Sequence, residues 1–483
     1  MVTQTPRVGP ATLNERQLRA TATTLGGAGW APWAPVKGLR CINCGALQDL
    51  DTIIYRCPEC GDLLDVVYPR PTLTAEQLRR RWRRRRGSLR PVDRSGVWRY
   101  RELLPFWRQL SELVTYPEGD TPLLDAPRSA AYAGVGRLRF KHLGFSPTGS
   151  FKDYGMATGV TQARRLGMRA VACASTGNTS ASLAAYASRA GLLAIVLVPE
   201  GQISYGKLSQ ALDFGALTLQ LRGDFDDAQT LLMEIAPQLG IYILNSVNPY
   251  RLEGQKSVIL ELLEQCDWQA PDRIVVPGGN LGNSSSYGKA LRELDDLGLL
   301  DKRPHITIVQ AEGAAPLYRY FHDHPDRMVS VHPRTLATAI KIGSPVSWKK
   351  ARRAVDWSDG WCTEVDEQAI ADAKAVIGSD GIGCEPASAT TLAGIRRLIH
   401  EGTDVPVQPD EDVVAVLTGN QLKDPEYTVR YHNGDLWEEF TTQTHVVSHG
   451  RQLQCSFANP PLVVDATADA LRRAIEPCLR GVQ

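Results

Sequence analysis

An α/β architecture of two parallel-sheet subdomains follows from three features of the residue pattern. Short β-branched apolar runs recur through the middle of the chain, longer stretches of helical periodicity lie between them, and the junctions are rich in Gly, Ser, Thr and Asn. Runs that are apolar throughout, rather than alternating, indicate strands covered on both faces, and parallel strands return through helical crossovers. Ligands in such sheets bind beyond the carboxyl ends of the strands, so the strand-to-helix junctions are where chemistry is expected.

In chain order the strand candidates are "RAVACAS", "LLAIVLVPE", "ALTLQLRG", "GIYILNSV", "RIVVPGG", "HITIVQAEG" and, much later, "DVVAVLTGN". Between them lie "TSASLAAYASRAG", "YGKLSQALDFG", "DFDDAQTLLMEIAPQLG" and "SYGKALRELDDLG", which read as helices. With 483 residues, 43% hydrophobic and 22% charged, the chain is long enough for two or more packed domains. Its 54 Lys+Arg balance 53 Asp+Glu, so overall charge makes neither nucleic acid nor an anionic membrane a required partner. No apolar run approaches the roughly 18 residues that span a bilayer, and "MVTQTPRVGPATLNERQLRA" lacks the apolar core of a secretory signal. A cytoplasmic protein is expected.

Residues 1–40, rich in Ala, Gly, Pro and Thr, read as an N-terminal arm. Residues 41–75 carry two CxxC knuckles, Cys41 with Cys44 and Cys57 with Cys60, each followed by Gly. Four thiolates brought together by a short hairpin form a tetrahedral set suited to structural Zn2+, with no open position for catalysis; the alternative is a relic that packs as a small hydrophobic module without metal. The other six cysteines are scattered singly and read as reduced thiols. Residues 76–115 form a basic helical connector whose "RRRWRRRRG" run is expected to be a solvated face with local ion pairs rather than a nucleic-acid patch. The catalytic core is placed at 116–425. The extension at 426–483 alternates polar and apolar residues, which suggests a small β-rich appendage before a last helix.

Four junctions in the core are built of small and amide residues. "SPTGSFKDYG" sets Lys152 on a Gly/Ser/Thr turn at the start of a helical pattern. "ASTGNTSAS" offers Ser175, Thr176, Gly177, Asn178 and Thr179 at a helix N-terminus, where unpaired N–H groups suit a carboxylate or phosphate. In "VVPGGNLGNSSS", residues Gly279, Asn280, Leu281, Gly282 and Asn283 can wrap amides around a phosphate without matching a Walker A loop or a dinucleotide fingerprint. "AVLTGNQLKDP" places Thr418 at a strand end, with a hydroxyl able to meet a ring nitrogen. A preorganised lysine, a phosphate cradle without nucleotide motifs and hydroxyl groups at a helix start together indicate pyridoxal phosphate.

"SPTGSFKDYG" resembles the cofactor-lysine motif of threonine synthases in the tryptophan-synthase-β-like group, the fold type II pyridoxal-phosphate enzymes. The similarity continues through "SGVWRYRELLP", "EGDTPLL", "NSVNPYRLEGQKS", "GGNLGNSSSYGKA", "TAIKIGSPVSW", "EPASA" and "LTGNQLKDP", covering roughly residues 40–425. The resemblance implies conversion of O-phospho-L-homoserine and water to L-threonine and phosphate. It implies that Lys152 is the Schiff-base lysine and proton shuttle, that Asn178 meets the cofactor's phenolic oxygen, that Gly279 to Asn283 hold its phosphate, and that Thr418 faces the ring nitrogen. It further implies that Ser246, Arg251 and Thr179 take the substrate phosphate, with Asn283 at the cradle's edge, while Ser175, Thr176 and Thr179 receive the substrate carboxylate. A homodimer without nucleic-acid or membrane partners is expected.

Two departures from the family pattern stand out: Ser146 where Asn is usual, and Asn420–Gln421 where a His–Gly pair is common. A cysteate synthase-like enzyme is the nearest rival, and a dehydratase, which needs no second phosphate site, is a further one. A zinc-ribbon nucleic-acid-binding protein with a degenerate core would have lost Lys152 and the Gly-rich loop, and both are intact.

Overall fold

The computed structural model describes residues 30–175, 177–200, 205–222, 225–400, 407–438 and 450–480. Its strands in chain order are β1 Gly38–Cys41, β2 Leu47–Gln48, β3 Leu64–Val67, β4 Leu123–Asp125, β5 Arg137–His142, β6 Ala170–Ala174 and β7 Leu193–Pro199. There follow β8 Leu217–Leu221, β9 Ile241–Ile243, β10 Arg273–Pro277, β11 His305–Ala311, β12 Trp361–Val365 and β13 Asp412–Leu417. They form an antiparallel sheet β2-β1-β3, a large sheet β12-β11-β10-β13-β5-β4 and a small sheet β8-β7-β6-β9. The small sheet is parallel throughout, and the large one is parallel except where edge strand β4 runs against β5.

All seven apolar runs are strands. Three others in the two core sheets, β4, β5 and β12, escape the pattern, and β5 shows why. Its "RLRFKH" alternates basic with apolar residues, yet Arg139 and Lys141 are buried. Asp412 takes Arg139 at 2.7 Å and Glu261 takes Lys141, so charge that reads as solvent-facing is neutralised inside.

Strand order decides where the junctions meet. β10, β13 and β5 lie side by side in register (Ile274 opposite Val414, Val414 opposite Arg139), so the segments after Pro277, Leu417 and His142 emerge along one sheet edge. In the small sheet β6 neighbours β9 (Ala172 opposite Ile243), which pairs the segments after Ala174 and Ile243 in the same way. The helix that opens with Lys152, Lys152–Arg165, crosses the helix that carries Arg251, Pro249–Gln265. Glycine makes the close crossing possible: a Cβ on Gly254 would stand 1.9 Å from the Tyr154 carbonyl oxygen.

The basic helix Ala75–Arg86 starts on a capping box of Thr74 and Gln77. Its arginines are largely committed: Arg85 and Arg81 to Glu102 (2.5 and 3.5 Å), Arg86 to Asp120 (3.4 Å), and Arg79 over the Trp268 ring. The extension differs from the alternation expected of it. "PEYTVRYH" is a helix, Pro425–His432, because Pro425 fits its first position and Tyr427 and Tyr431, one turn apart, pack together beside Ala371 and Leu436. Strand-like pairing is confined, among the described residues of the extension, to the bridge Trp437–Gln452. A last helix, Ala468–Arg480, is present as expected, while residues 439–449 lie outside the described residues.

Candidate active site and metal centre

Lys152 is held by its turn rather than by its own side chain. Gly149 takes a left-handed φ of 80°, its carbonyl accepts from the Asn420 amide at 2.9 Å, and the Phe151 amide donates to the Thr418 carbonyl at 3.0 Å. The turn is therefore stitched to the end of β13. One residue on, buried Asp153 accepts from the Thr148 amide (2.8 Å), the Thr148 hydroxyl (2.6 Å) and the Ser182 hydroxyl (2.6 Å), fixing the helix start. The Lys152 ammonium lies 3.8 Å from the Phe151 ring centroid. Burial, reinforced by the Arg251 charge and partly opposed by Glu385, lowers its pKa to about 7. A free amine near neutrality is what a nucleophilic, proton-carrying lysine needs.

The cradle begins where β10 ends. Leu281 takes a φ of 63° and turns the chain into the helix Gly282–Asp296. The amides of Gly279, Asn280, Leu281, Gly282 and Asn283 donate to no partner among the described residues. The Asn280 side chain instead accepts from Val346 at 3.3 Å, pinning the loop from outside. Two buried oxygens beside the loop, Asn283 Oδ1 and Gln255 Oε1, are unpaired. Unspent amides at a helix N-terminus are the donor set for a phosphate.

Asn178 and Thr418 arrive from different sheets and are bridged by one carboxylate. Asn178 Nδ2 donates to Glu385 Oε2 and Thr418 Oγ1 to Glu385 Oε1, each at 2.9 Å. Ser388 Oγ accepts the Thr418 and Gly419 amides (2.8 and 3.3 Å), so its own proton goes to Thr418 Oγ1 at 3.0 Å. The Thr418 hydroxyl is thus oriented from both sides.

Among the residues expected to hold substrate, Arg251 is the most informative. It is 2% exposed, Nη1 donates to the Leu244 carbonyl at 3.0 Å, and Nε has no partner. Among the described residues no carboxylate forms an ion pair with it, and burial lowers its pKa to about 10. Thr179 is half-buried in the first turn of the helix Asn178–Ala190, Ser175 sits at the end of β6 with its hydroxyl on the Gly177 amide, and Ser246 is half-buried between β9 and the Arg251 helix. Thr176 lies outside the described residues.

Two of the three departing residues, Asn420 and Gln421, have structural roles. Asn420 caps its turn, accepting from the Leu422 amide at 3.0 Å and donating to the Gly144 carbonyl at 3.3 Å, and Gln421 packs on Gly383. The buried Ser146 hydroxyl is unpaired.

At the other end of the chain the four sulfurs of Cys41, Cys44, Cys57 and Cys60 lie within 4.8 Å of one another, with Cys41–Cys60 at 3.4 Å and Cys44–Cys57 at 3.6 Å. None is in a disulfide. Tetrahedral Zn–S bonds of roughly 2.3 Å put sulfurs roughly 3.8 Å apart, so the cluster can hold a zinc ion.

Residues 114–419 match the family model of the pyridoxal-phosphate dependent enzymes. The chain is 43% identical to the threonine synthase of Methanocaldococcus jannaschii over 81% of its own length and 94% of that protein. It is also 43% identical to the Methanosarcina acetivorans threonine synthase, over 90% and 98%. The chain belongs to the threonine synthase family of pyridoxal-phosphate dependent enzymes. Solved structures similar to it share the fold at low identity: maize serine racemase (TM-score 0.54, 21% identical, 62% of this chain and 88% of that one) and the serine racemase of Dictyostelium discoideum (0.52, 23%, 63% and 92%). The unspent cradle amides and the lowered Lys152 fit the cofactor that the family carries.

Two residues of this site stand inside the motifs without a role that the motifs assign. Glu385 opens "EPASA", between the helices Glu367–Ser379 and Pro386–His400, and a carboxylate directly before a helix-starting proline was a usable signal. Gln255, buried between Gly155 and Gly282, sits one turn past Arg251 in a run that reads as plain helix.

Proposed function

We propose that the chain converts O-phospho-L-homoserine and water to L-threonine and phosphate, with Lys152 and Arg251 as its two working cations. Pyridoxal phosphate, bound through Lys152 and the cradle amides, supplies an electron sink for negative charge developing on the amino-acid carbons. Glu385 fixes Asn178 and Thr418, the side chains that would meet the ring, and Lys152 carries protons at the substrate's Cα and Cβ. Arg251, with Ser246 and Thr179, grips the leaving phosphate. Its guanidinium fork suits two phosphate oxygens at once, and orientation there keeps the breaking bond in line. Ser175, Thr176 and Thr179 receive the carboxylate at the helix N-terminus.

The observation that carries this reading is the buried Arg251 without a carboxylate partner, close enough to depress Lys152. A dehydratase would leave that charge without a ligand; a phosphorylated substrate supplies one. The reading also takes the enzyme as a cytoplasmic homodimer, checked by sedimentation and fractionation. For the reaction itself, phosphate and threonine are assayed together with the wild type and Lys152→Ala. Equal yields of both are expected, with a loss on the order of 10³-fold in the variant. Phosphate without threonine, or a fully active variant, overturns the reading.

A further inference from the structure

The cysteine cluster stands apart from the chemistry, yet the loop it closes reaches the two helices that carry the cations of the site. Between Cys44 and Cys57 the backbone first pairs with β1 through β2, and from Asp49 onward it makes only local turns, Thr52 to Asp49 and Ile54 to Thr52. Its firm attachments point outward. The Leu50 carbonyl accepts from Gln162 Nε2 at 2.9 Å, on the helix that begins with Lys152, and from the Tyr250 hydroxyl at 3.2 Å, the residue before Arg251. The Tyr55 hydroxyl accepts from the Ile243 amide at 2.7 Å, at the end of β9 and just ahead of Ser246, while its ring packs on Tyr242 at 5.9 Å. Asp51 pairs with Arg165 at 2.5 Å, at the far end of the Lys152 helix.

The rest of the module is anchored elsewhere and without the sulfurs. Lys350 binds the Leu64 carbonyl and Asp65, and Arg353 binds Asp65. Losing the metal would therefore leave β3 docked, with β1 and β2 paired to it, and free only the segment from Asp49 to the second knuckle.

We propose that the four-cysteine metal centre is a positioning device for the phosphate end of the site, holding Leu50 and Tyr55 against Tyr250 and Ile243 so that Arg251 and Ser246 keep a fixed place relative to Lys152. The inference rests on the reading of Arg251 as the phosphate ligand. Leu50 and Tyr55 act through other residues; neither touches substrate.

The test uses full-length holoenzyme in four forms: zinc-loaded, zinc-depleted with metal content measured, Tyr55→Phe and Arg251→Lys. For each, inorganic phosphate is titrated by calorimetry, KM and kcat for O-phosphohomoserine are measured, and bound cofactor is read from its absorbance. Zinc depletion and Tyr55→Phe are expected to weaken phosphate and raise KM about 5-fold or more, the effect of losing one or two buried hydrogen bonds, with kcat and cofactor content near wild type. Tyr55→Phe keeps the metal, so it reports the strut even if depletion unfolds the module. Unchanged phosphate affinity in both forms, with Arg251→Lys weakened, overturns the strut alone. Unchanged affinity in Arg251→Lys overturns the phosphate reading and the strut with it.

Discussion

Buried arginines at the two ends of the core sheets are treated differently. Arg273, 1% exposed at the start of β10, meets Glu411 through Nε at 2.7 Å and Nη2 at 2.9 Å. Arg251 is as deeply buried beyond the end of β9, and no carboxylate answers it among the described residues. The lysines repeat the contrast. Burial alone would lower Lys256, but Glu253 and Glu293, each at 2.8 Å, carry it above its usual value, whereas Lys152 falls to about 7. Charge is neutralised where it only supports the fold and left uncompensated where an anion is expected to bind.

Replacing each arginine by methionine should destabilise at one end and not at the other. Arg273→Met leaves Glu411 without its partner and is expected to lose about 3 kcal/mol in denaturant unfolding of the cofactor-free protein. Arg251→Met removes a buried charge that has no counter-ion, and its unfolding free energy is expected to stay level or rise. Its kcat/KM should nonetheless fall roughly 10²-fold, the weight of two charge-assisted hydrogen bonds. If Arg251→Met destabilises as much as Arg273→Met, the contrast between the two ends is lost.

How far this was legible in the sequence differs between backbone and side chain. Seven strands and the junctions after them are visible because burial on both faces forces continuous apolar runs, and glycine or an amide must stand where backbone turns toward a ligand. Lys152, the cradle and the cysteine set stand out through those local signals. β5 is hidden because its charges are cancelled by Asp412 and Glu261, far away in sequence. Glu385 is hidden for the same reason: its meaning comes from Asn178 and Thr418, 207 and 33 residues away. Partnership across sheets leaves no period in the chain.

The pH response of Lys152 sharpens the comparison at smaller amplitude. With its pKa lowered to about 7, the free amine appears as pH rises through neutrality, so cofactor capture by the cofactor-free protein should accelerate up to pH about 7 and then level off. Glu385→Gln removes a charge holding that pKa up, and the midpoint should move to lower pH; Arg251→Met removes a charge pushing it down, and the midpoint should move higher. Stopped-flow absorbance against pH measures all three. Shifts in the same direction for both variants would mean that packing, not charge, sets the amine.

The smallest effect is expected at the departure from the family pattern. Asn420 holds the end of β13 to the lysine turn in two ways: its amide donates to the Gly149 carbonyl at 2.9 Å, and its side chain caps Leu422 and reaches the Gly144 carbonyl. Asn420→Ala keeps the backbone bond and removes the cap, a loss of about 1 kcal/mol by thermal unfolding. The Lys152 turn is also fixed by Asp153 and by the Phe151–Thr418 bond, so kcat should change by less than about 3-fold. A much larger fall in kcat with intact stability would move Asn420 from the frame of the site into the site, and would mark this position as one where the chain handles its substrate differently from relatives that carry a His–Gly pair.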